Sequence, residues 1–376
     1  MTNSSKDNQN LKIGVLGSGQ LGQMMCLEAL PLGYDFFCYS PDKDSPSEKA
    51  GAVATVGFYE DLASLKIFLS KIDVLSFEFE NIPKSTLEYL ESQTKQIQIF
   101  PPPKALVIAQ DRYLEKTHFR KLGFRTASFF HLTENTSKIE INIPYPWIIK
   151  TLRFGYDGKG QVKVNDVSEY KNFLDRAFAS GNEEYLVEEV IPFQKEISII
   201  LTRFQNGEIV CYGAVENEHK NHILDLSIYP ARIPTGLNLE ATEMACKLAE
   251  SLDYVGTMGV EFFLKENHIY LNEFAPRPHN TGHFTQDCQS FSQFHLHVSA
   301  ISGNLPPTDV RPKPTLMKNI LGNEYKESLV IARSLLKDDR YQLHLYGKKD
   351  AKIGRKMGHI NFKGNLEEVN PRFHDL

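Results

Sequence analysis

A strand that ends in a lysine precedes a glycine-rich segment in the middle of the sequence: Trp147–Lys150 reads WIIK, and Gly155–Gln161 reads GYDGKGQ. The three glycines of the second segment leave backbone amides exposed, and concave arrays of such amides bind phosphate. Lys150 and Lys159 add positive charge that suits a polyphosphate. A flexible hairpin with a solvated lysine would explain the glycines but not the strand before them. The two segments together therefore predict a polyphosphate site.

Acidic residues in apolar surroundings follow further along the chain. Val187–Val190 reads VEEV, and Glu196 comes shortly after Pro192. Glu188 and the backbone near Val190 could pair with the edge of an adenine ring, while Glu196 could bind ribose hydroxyl groups. Ordinary exposed acids on strands explain the same pattern equally well, because most glutamates lie on the surface. Both interpretations stay open on these residues alone.

Two glutamates stand on strands that read as a hairpin, Val260–Leu264 and Ile269–Phe274. If the hairpin is centred near Asn267, Glu261 and Glu273 lie directly opposite each other. Like charges in that position repel and destabilise the strand pair. A cation between them would remove the conflict, and Mg²⁺ binds a few carboxylates together with phosphate oxygens. The alternative is a pair of solvated acids on an edge hairpin, but the neighbouring residues are apolar.

A glycine turn near the start, Gly17–Gly22 (GSGQLG), follows the apolar strand Lys12–Leu16 and opens a helix over Leu21–Leu30. This is the dinucleotide-binding pattern in its usual context, and Asp42 lies about 20 residues on, where a ribose-binding acid would stand. The turn therefore allows an NAD-dependent oxidoreductase. Glycines also permit a tight turn whose amides can face any phosphate.

Strands and helices alternate over residues 11–100, which predicts a parallel sheet with helices on its faces. Pro101–Pro103 marks a boundary because three prolines do not continue a helix or a sheet. One helix is expected over 104–122 and another over Leu239–Leu252, and further prolines between 306 and 314 mark a second linker. We expect three domains: an N-terminal Rossmann-like domain over 1–103, a central domain over 104–305, and a small β-rich C-terminal domain over 306–376.

The composition is that of an ordinary globular protein, with 41% hydrophobic and 24% charged residues among 376. The net charge of −5 and the pI near 6.2 argue against nucleic acid and anionic membranes as partners. A basic cluster from Lys348 to Lys356 suits a single phosphate instead. The five cysteines form no CxxC pair, the first ten residues are polar, and no run of 18 apolar residues occurs. These features predict a cytoplasmic protein.

Four histidines, His279, His283, His295 and His297, raise the alternative of a zinc site. His295 and His297 are two residues apart on an expected helix, so their side chains point to different faces. A tetrahedral site from this set is therefore not expected.

The order of these features resembles the ATP-grasp superfamily, and particular segments resemble the N5-carboxyaminoimidazole ribonucleotide synthase family within it. The likeness runs from Lys12 to about Asn361 and is most specific in Gly155–Gln161, where biotin carboxylases and the formate-using glycinamide ribonucleotide enzyme carry different residues. Asp225 and Leu226 depart from the pattern, since some members carry a basic residue there. The matching segments are Gly17–Gly22, Phe77–Asn81, Gly155–Gln161, Asn272–Asn280, His344–Lys348 and Gly354–His359.

The resemblance implies an α/β fold with a Rossmann-like domain, a two-lobed ATP-grasp domain and a small C-terminal domain. It also implies a homodimer that carboxylates aminoimidazole ribonucleotide with ATP, bicarbonate and Mg²⁺, through carboxyphosphate. For ATP it implies contacts from Arg112, Lys150, Gly155, Tyr156, Asp157, Gly158, Lys159, Gly160, Gln161, Glu188, Glu189, Val190, Ile191, Glu196, His219, Asn272 and Glu273.

The same resemblance implies that Glu261 and Glu273 hold the metal. It assigns catalysis to Lys150, Tyr156, Asp157 and Arg277. It places the ribonucleotide against Gln20, Leu21, Glu80, Tyr156, Asp157, Lys348, Arg355 and Lys356.

Overall fold

A computed structural model describes residues 11–153, 155, 160–178, 183–323 and 325–376. Its N-terminal part is an open parallel sheet of five strands in the order β3-β2-β1-β4-β5, as the alternation of strands and helices predicts. The edge strand β3 was not expected, because its four residues show no alternation of apolar and polar side chains. It lies at the edge of the sheet, where Val53 is 56% exposed. The strands are β1 Lys12–Leu16, β2 Asp35–Ser40, β3 Val53–Val56, β4 Val74–Phe77 and β5 Gln98–Ile99.

Helices cover the faces of this sheet, beginning with α1, which starts directly after the glycine turn. Leu21, Met24 and Met25 of α1 are buried against the strands. The helices of this part are α1 Gln20–Ala29, α2 Pro46–Lys49, α3 Leu62–Leu69 and α4 Lys84–Gln93.

The single helix expected over 104–122 is two helices, α5 Pro103–Ala109 and α6 Arg112–Lys121. Asp111 causes the break: its backbone is extended, and its side chain accepts hydrogen bonds of 3.1 Å from the amides of Tyr113 and Leu114. Such a cap satisfies amides that have no partner within the helix. The third proline of the run does not stop a helix but opens α5, where its missing amide costs nothing.

A small antiparallel sheet follows, in the order β6-β9-β7-β8, with one helix beside it. The lysine-ending strand is β7, and Lys150 pairs in register with Gln161 of β8. The elements are β6 Phe129–Leu132, β7 Trp147–Thr151, β8 Gln161–Val164, α7 Val167–Ala177 and β9 Tyr185–Glu189.

The central sheet has eight antiparallel strands in the order β14-β13-β10-β11-β12-β15-β17-β16. The C-terminal strands extend this sheet, because β15 pairs with β12, so the C-terminal region has no separate sheet of its own among the described residues. The strands are β10 Lys195–Arg203, β11 Ile209–Lys220, β12 Ile223–Tyr229, β13 Gly256–Lys265, β14 His268–Ala275, β15 Thr315–Leu321, β16 Tyr341–Leu345 and β17 Lys356–Lys363. The helices are α8 Thr235–Ser251, α9 Gln293–Ile301 and α10 Tyr325–Leu335.

Helix α9 joins the N-terminal sheet to the central sheet. His297 is fully buried: its Nδ1 accepts from the amide of Thr257 at 3.0 Å, and its Nε2 lies 2.9 Å from Ser76 Oγ. The amide fixes the tautomer, so Nε2 donates to the serine. His295 points elsewhere on the helix and pairs with Glu28 at 3.3 Å. Among the described residues, no helix is long and apolar enough to cross a membrane.

Candidate active site

A cavity of about 1290 Å³ lies where the two antiparallel sheets meet the N-terminal part. Every part of the fold contributes to its wall. The predicted nucleotide and metal residues on it are Arg112, Lys150, Gly155, Gln161, Glu196, His219, Glu261, Asn272 and Glu273. The predicted ribonucleotide and catalytic residues on it include Glu80, Arg277 and Lys356.

Other predicted residues do not line this cavity. Leu21 is one of them, and its side chain packs in the N-terminal core, so only its backbone could meet a substrate. The rest of this group is Gln20, Gly160, Glu188, Glu189, Val190, Ile191, Lys348 and Arg355. Tyr156, Asp157, Gly158 and Lys159 lie outside the described residues.

Glu261 and Glu273 pair across the β13–β14 hairpin, as the sequence predicts. The geometry that pairs them is not the symmetric hairpin that was expected. The turn places Lys265 opposite His268 and Phe262 opposite Leu271, which would bring Asn272 opposite Glu261. Instead, β14 has a bulge in which Asn272 is an extra residue, and the register shifts by one. A shift by one residue moves side chains to the other face of a strand, so the bulge brings Glu273 to the face of Glu261.

The two carboxylates form an acidic site that a divalent cation would fit. Burial and the charge of Glu273 raise the pKa of Glu261, which records the repulsion between them. Arg112 Nη1 lies 3.3 Å from Glu273 Oε2, and His279 Nε2 lies 3.3 Å from Glu261 Oε1. Within the described ranges, no group of three or more His, Cys, Asp or Glu could hold a metal ion. Two carboxylates would leave most of the coordination of a Mg²⁺ ion to phosphate and water, as that ion prefers.

Glu188 is buried between two lysines. Its carboxylate lies 3.0 Å from Lys116 Nζ and also pairs with Lys150 Nζ. Burial alone would raise the pKa of Glu188, but the charges of the two lysines outweigh it and hold that pKa far below its usual range. The Glu188 side chain is therefore engaged with the two lysines in this structure, and its contact with an adenine amino group stays a prediction.

Glu196 and His219 stand side by side on β10 and β11, with Oε2 and Nδ1 at 2.7 Å. Burial lowers the pKa of His219, but its hydrogen bond to Glu196 and the charge of that carboxylate raise it more, so the net shift is upward. The pair gives this wall of the cavity both a donor and an acceptor.

Two residues of α6, one on this cavity and one behind it, were not predicted from the sequence. Glu115 lines the wall, and Lys116 lies behind it. Burial and the charge of Glu273 raise the pKa of Glu115 to about 8. The available signal was helical spacing, since positions three and four after Arg112 lie on its face of the helix.

Elsewhere on the cavity wall, Arg277 forms a two-pronged ion pair with Glu80, in which Nη2 and Oε1 are 3.2 Å apart. Lys348 donates to the carbonyl of Lys356 at 2.7 Å. Burial and the charge of Arg355 lower the pKa of Lys348 to about 8. One C-terminal segment thus gathers three cationic side chains, the arrangement that a substrate phosphate would relieve.

The amides of the glycine turn are occupied by a side chain of the protein itself. The carboxylate of Glu78 accepts from the amide of Gly19 at 2.5 Å and from that of Gly22 at 2.7 Å. A Cβ on Gly17 would lie 2.0 Å from Glu78 Cγ, so the glycines admit this side chain. These two amides are not free for a phosphate while Glu78 holds them.

Asp225, which departs from the family pattern, forms ion pairs with two lysines. It lies 2.8 Å from the buried Lys318 and 3.0 Å from Lys220. Since Lys318 is on β15, this ion pair links the C-terminal strands to β12.

Comparison with known proteins agrees with this architecture. Residues 11–110 match the model of the ribonucleotide synthetase preATP-grasp domain, residues 117–294 match the ATP-grasp domain, and residues 315–370 match the phosphoribosylaminoimidazole carboxylase C-terminal domain.

Relatives match nearly the whole length of this chain. The N5-carboxyaminoimidazole ribonucleotide synthase of Bacillus subtilis is 37% identical over 95% of this chain and 92% of its own length. The bifunctional purine synthesis protein purC/E of Dictyostelium discoideum is 37% identical over 93% of this chain, which spans 36% of that longer protein. The N5-carboxyaminoimidazole synthase of Aspergillus clavatus, solved with ADP and 5-aminoimidazole ribonucleotide, superposes with a TM-score of 0.86 at 29% identity over 97% of both chains. The chain therefore belongs to the N5-carboxyaminoimidazole ribonucleotide synthase family of ATP-grasp enzymes.

Proposed function

We propose that this protein uses ATP and bicarbonate to carboxylate 5-aminoimidazole ribonucleotide, giving N5-carboxyaminoimidazole ribonucleotide in purine biosynthesis. One observation carries the proposal: a single cavity joins the facing pair Glu261 and Glu273 to the Glu80–Arg277 pair and Lys356. A ligase of this kind needs its nucleotide and its acceptor in one enclosed space. The relative from Aspergillus clavatus was solved with both ADP and 5-aminoimidazole ribonucleotide.

The relatives reported above are named as carboxyaminoimidazole synthases or as a purine synthesis protein, and these names give the NAD-dependent alternative no support. The occupied glycine turn agrees with this, since Glu78 lies where a dinucleotide would place its pyrophosphate.

ATP would bind along the wall formed by Arg112, Lys150, Glu196 and His219. Lys150, oriented by Glu188, would donate to phosphate oxygens, and Glu196 with His219 would meet the ribose. Arg112 is within reach of both Glu273 and the carbonyl of Gly155, so it can bridge the metal side and the glycine-rich segment. Glu261 and Glu273 would hold Mg²⁺, which when bound offsets the dispersed negative charge of the phosphoryl group.

The reaction would run in two steps. A bicarbonate oxygen forms a bond to the γ-phosphorus while the bond to ADP breaks, which gives carboxyphosphate. The carbon–oxygen bond of carboxyphosphate then breaks, which releases phosphate and CO₂ inside the closed site. The exocyclic amine of the ribonucleotide bonds to the carbon of that CO₂, and the amine proton passes to the released phosphate. Arg277 would hold the carboxylated intermediate electrostatically, and Lys150 the phosphoryl group. Residues 155–161 would exclude water, because carboxyphosphate hydrolyses readily, with Tyr156 and Asp157 beside the aminoimidazole.

The ribonucleotide phosphate would lie against Lys348, Arg355 and Lys356. Burial and the neighbouring charges of Arg355 and Lys356 lower the pKa of Lys348, and a bound anion would offset those charges, which supports this assignment. Glu80, Gln20 and the backbone of Leu21 would complete the site from the N-terminal part.

We also propose domain limits of 1–103, 104–305 and 306–376, a homodimeric assembly and a cytoplasmic location. The matched segments 11–110, 117–294 and 315–370 support the order of the domains. The five cysteines are all free thiols, which suits a reducing compartment.

The proposal is tested by measuring ADP release with bicarbonate, with and without 5-aminoimidazole ribonucleotide. ADP release that depends on the ribonucleotide is expected. Equal release without it would contradict the proposed acceptor.

A further inference from the structure

Side chains of helix α6 form hydrogen bonds with the backbone of strand β14 on both sides of Glu273. Glu115 Oε1 accepts from the amide of Phe274 at 2.9 Å, and Lys116 Nζ donates to the carbonyl of Asn272 at 2.7 Å. Both side chains are buried. One turn earlier on the same helix face, Arg112 contacts the carboxylate of Glu273 itself. Three residues of one helix therefore surround a single residue of the strand.

The bulge and the edge position of β14 explain why these contacts are needed. Because Asn272 is an extra residue in β14, the ladder with β13 is interrupted there. Since β14 is also the edge strand of the central sheet, its buried backbone groups that face away from β13 have no ladder partner among the described residues and must find others. Lys116 supplies a partner on one side of Glu273 and Glu115 on the other. Thr126 adds a third contact, because its hydroxyl donates to the carbonyl of Leu271 at 2.8 Å and lies 3.2 Å from Lys116 Nζ.

Lys116 also reaches the nucleotide side of the cavity. Its Nζ lies 3.0 Å from Glu188 Oε1, and the other oxygen of Glu188 pairs with Lys150. Lys116 and Glu188 are each only 3% exposed, so this ion pair is shielded from solvent. Without Lys116, a buried carboxylate would face Lys150 alone, and breaking a buried pair in this way is costly.

We propose that Lys116 is a positioning residue of the nucleotide site: it holds the bulge that turns Glu273 toward Glu261, and through Glu188 it sets the position of Lys150. Glu115 shares the first task. The inference rests on the proposed function in one respect, namely that Glu261 and Glu273 hold a divalent cation. A lysine with only a structural role would change the stability of the fold but not the concentration of Mg²⁺ that the nucleotide requires.

The test compares Lys116→Met with Lys116→Arg and with Lys121→Met, which removes an exposed lysine from the same helix. Thermal protection by saturating ATP is measured as a function of Mg²⁺ concentration, because a ligand that binds the native state raises its melting temperature. In Lys116→Met, the Mg²⁺ concentration for half-maximal protection should rise about 10- to 100-fold, the usual cost of losing a residue that orients a ligand. Lys116→Arg should recover part of the loss, and Lys121→Met should match the wild type.

A folded Lys116→Met that keeps the wild-type Mg²⁺ requirement would overturn the proposal. Should that variant not fold, Glu115→Leu decides: the same rise is expected, and a wild-type requirement overturns it. Ribonucleotide-dependent ADP release is measured in the wild type alongside. If that release is absent while the Mg²⁺ requirement still rises in Lys116→Met, the proposed reaction fails and the positioning role stands.

Discussion

Glu261 and Glu273 face each other across a hairpin because Asn272 is an extra residue in the second strand. Both carboxylates line the same cavity, and burial together with the charge of Glu273 raises the pKa of Glu261. The fold thus maintains a repulsive pair at a place where three neighbouring side chains of one helix hold the strand. Such an arrangement is understandable as a cation site, since the cation would offset a cost that the apo fold bears.

Replacing Glu273 by Gln should nearly abolish ATP turnover while the fold stays intact. The change removes one negative charge from the proposed metal pair but keeps the shape of the side chain. Loss of residues that merely orient metal ligands costs 10- to 100-fold, so loss of a ligand should cost at least about 100-fold in ADP release.

The control for this variant is Glu266→Gln, which removes an exposed acid from the turn of the same hairpin. It should turn over like the wild type. Near-normal ADP release by Glu273→Gln at ordinary Mg²⁺ concentrations would remove the metal assignment.

The hairpin also shows which features of the site could be predicted from the sequence. The two apolar runs predicted both strands, and the position of the two glutamates predicted their pairing. The bulge at Asn272 was not predictable, because it depends on Glu115 and Lys116, whose contacts with β14 span 159 and 156 residues of the chain. The expected symmetric hairpin gave the correct pair for a geometrically different reason.

Arg355→Ala should raise the Michaelis constant for 5-aminoimidazole ribonucleotide about 10- to 150-fold. The change removes a charge-assisted contact of roughly 1.5–3 kcal/mol to a phosphate that does not react. The Michaelis constant for ATP should hardly change. Steady-state kinetics with the ribonucleotide varied at saturating ATP gives the answer.

Lys349→Ala is the matched control, because Lys349 lies in the same basic segment but pairs with Asp44 on the surface. If Arg355→Ala and this control both leave the Michaelis constant and the turnover number unchanged, the C-terminal phosphate site is wrong.

Asp157→Asn should keep ATP affinity but lose the carboxylated product. Asp157 stands in the segment that is most specific to the family, next to Tyr156, which suggests a role at the amine instead of at ATP. ATP binding by calorimetry and product formation are measured on the same preparation. A large loss of ATP affinity in this variant would instead assign Asp157 to the nucleotide site.

The stability of the protein should fall in mild acid, in part through His297. Burial lowers the pKa of His297 to about 3, whereas an unfolded histidine has a pKa of about 6.5. Between these two pKa values, the histidine is protonated in the unfolded state but neutral in the folded state. This contribution is complete above about pH 6.5 and is lost as the pH falls, by about 2 kcal/mol between pH 7.5 and 5.

Urea unfolding of His297→Gln across this range tests the point. The variant should be less stable at neutral pH, since it loses the contacts to Ser76 and Thr257, but its stability should depend less on pH. His268→Gln, at an exposed histidine, should keep the pH dependence of the wild type. An unchanged pH dependence in His297→Gln would contradict the assignment.

Several site residues could be predicted because their chemistry is local in the sequence. Lys150 and Glu196 were predicted from their own segments and His219 by resemblance, and the fold brings all three to one cavity. What the sequence could not reveal were partners made by tertiary contact. Glu188 reads as an acid on a strand, yet two lysines from α6 and β7 bury its charge. The glycine turn reads as a dinucleotide site, yet Glu78 from the end of β4 occupies its amides.

The proposed reaction is tested most directly by following isotopically labelled bicarbonate and ADP in one mixture of enzyme, ATP, Mg²⁺ and 5-aminoimidazole ribonucleotide. The account predicts that ADP forms in quantity only when the ribonucleotide is present, and that one labelled carboxyl group appears on its exocyclic amine for each ADP released. ADP that accumulates equally without the ribonucleotide, or with no label on the amine, would contradict it.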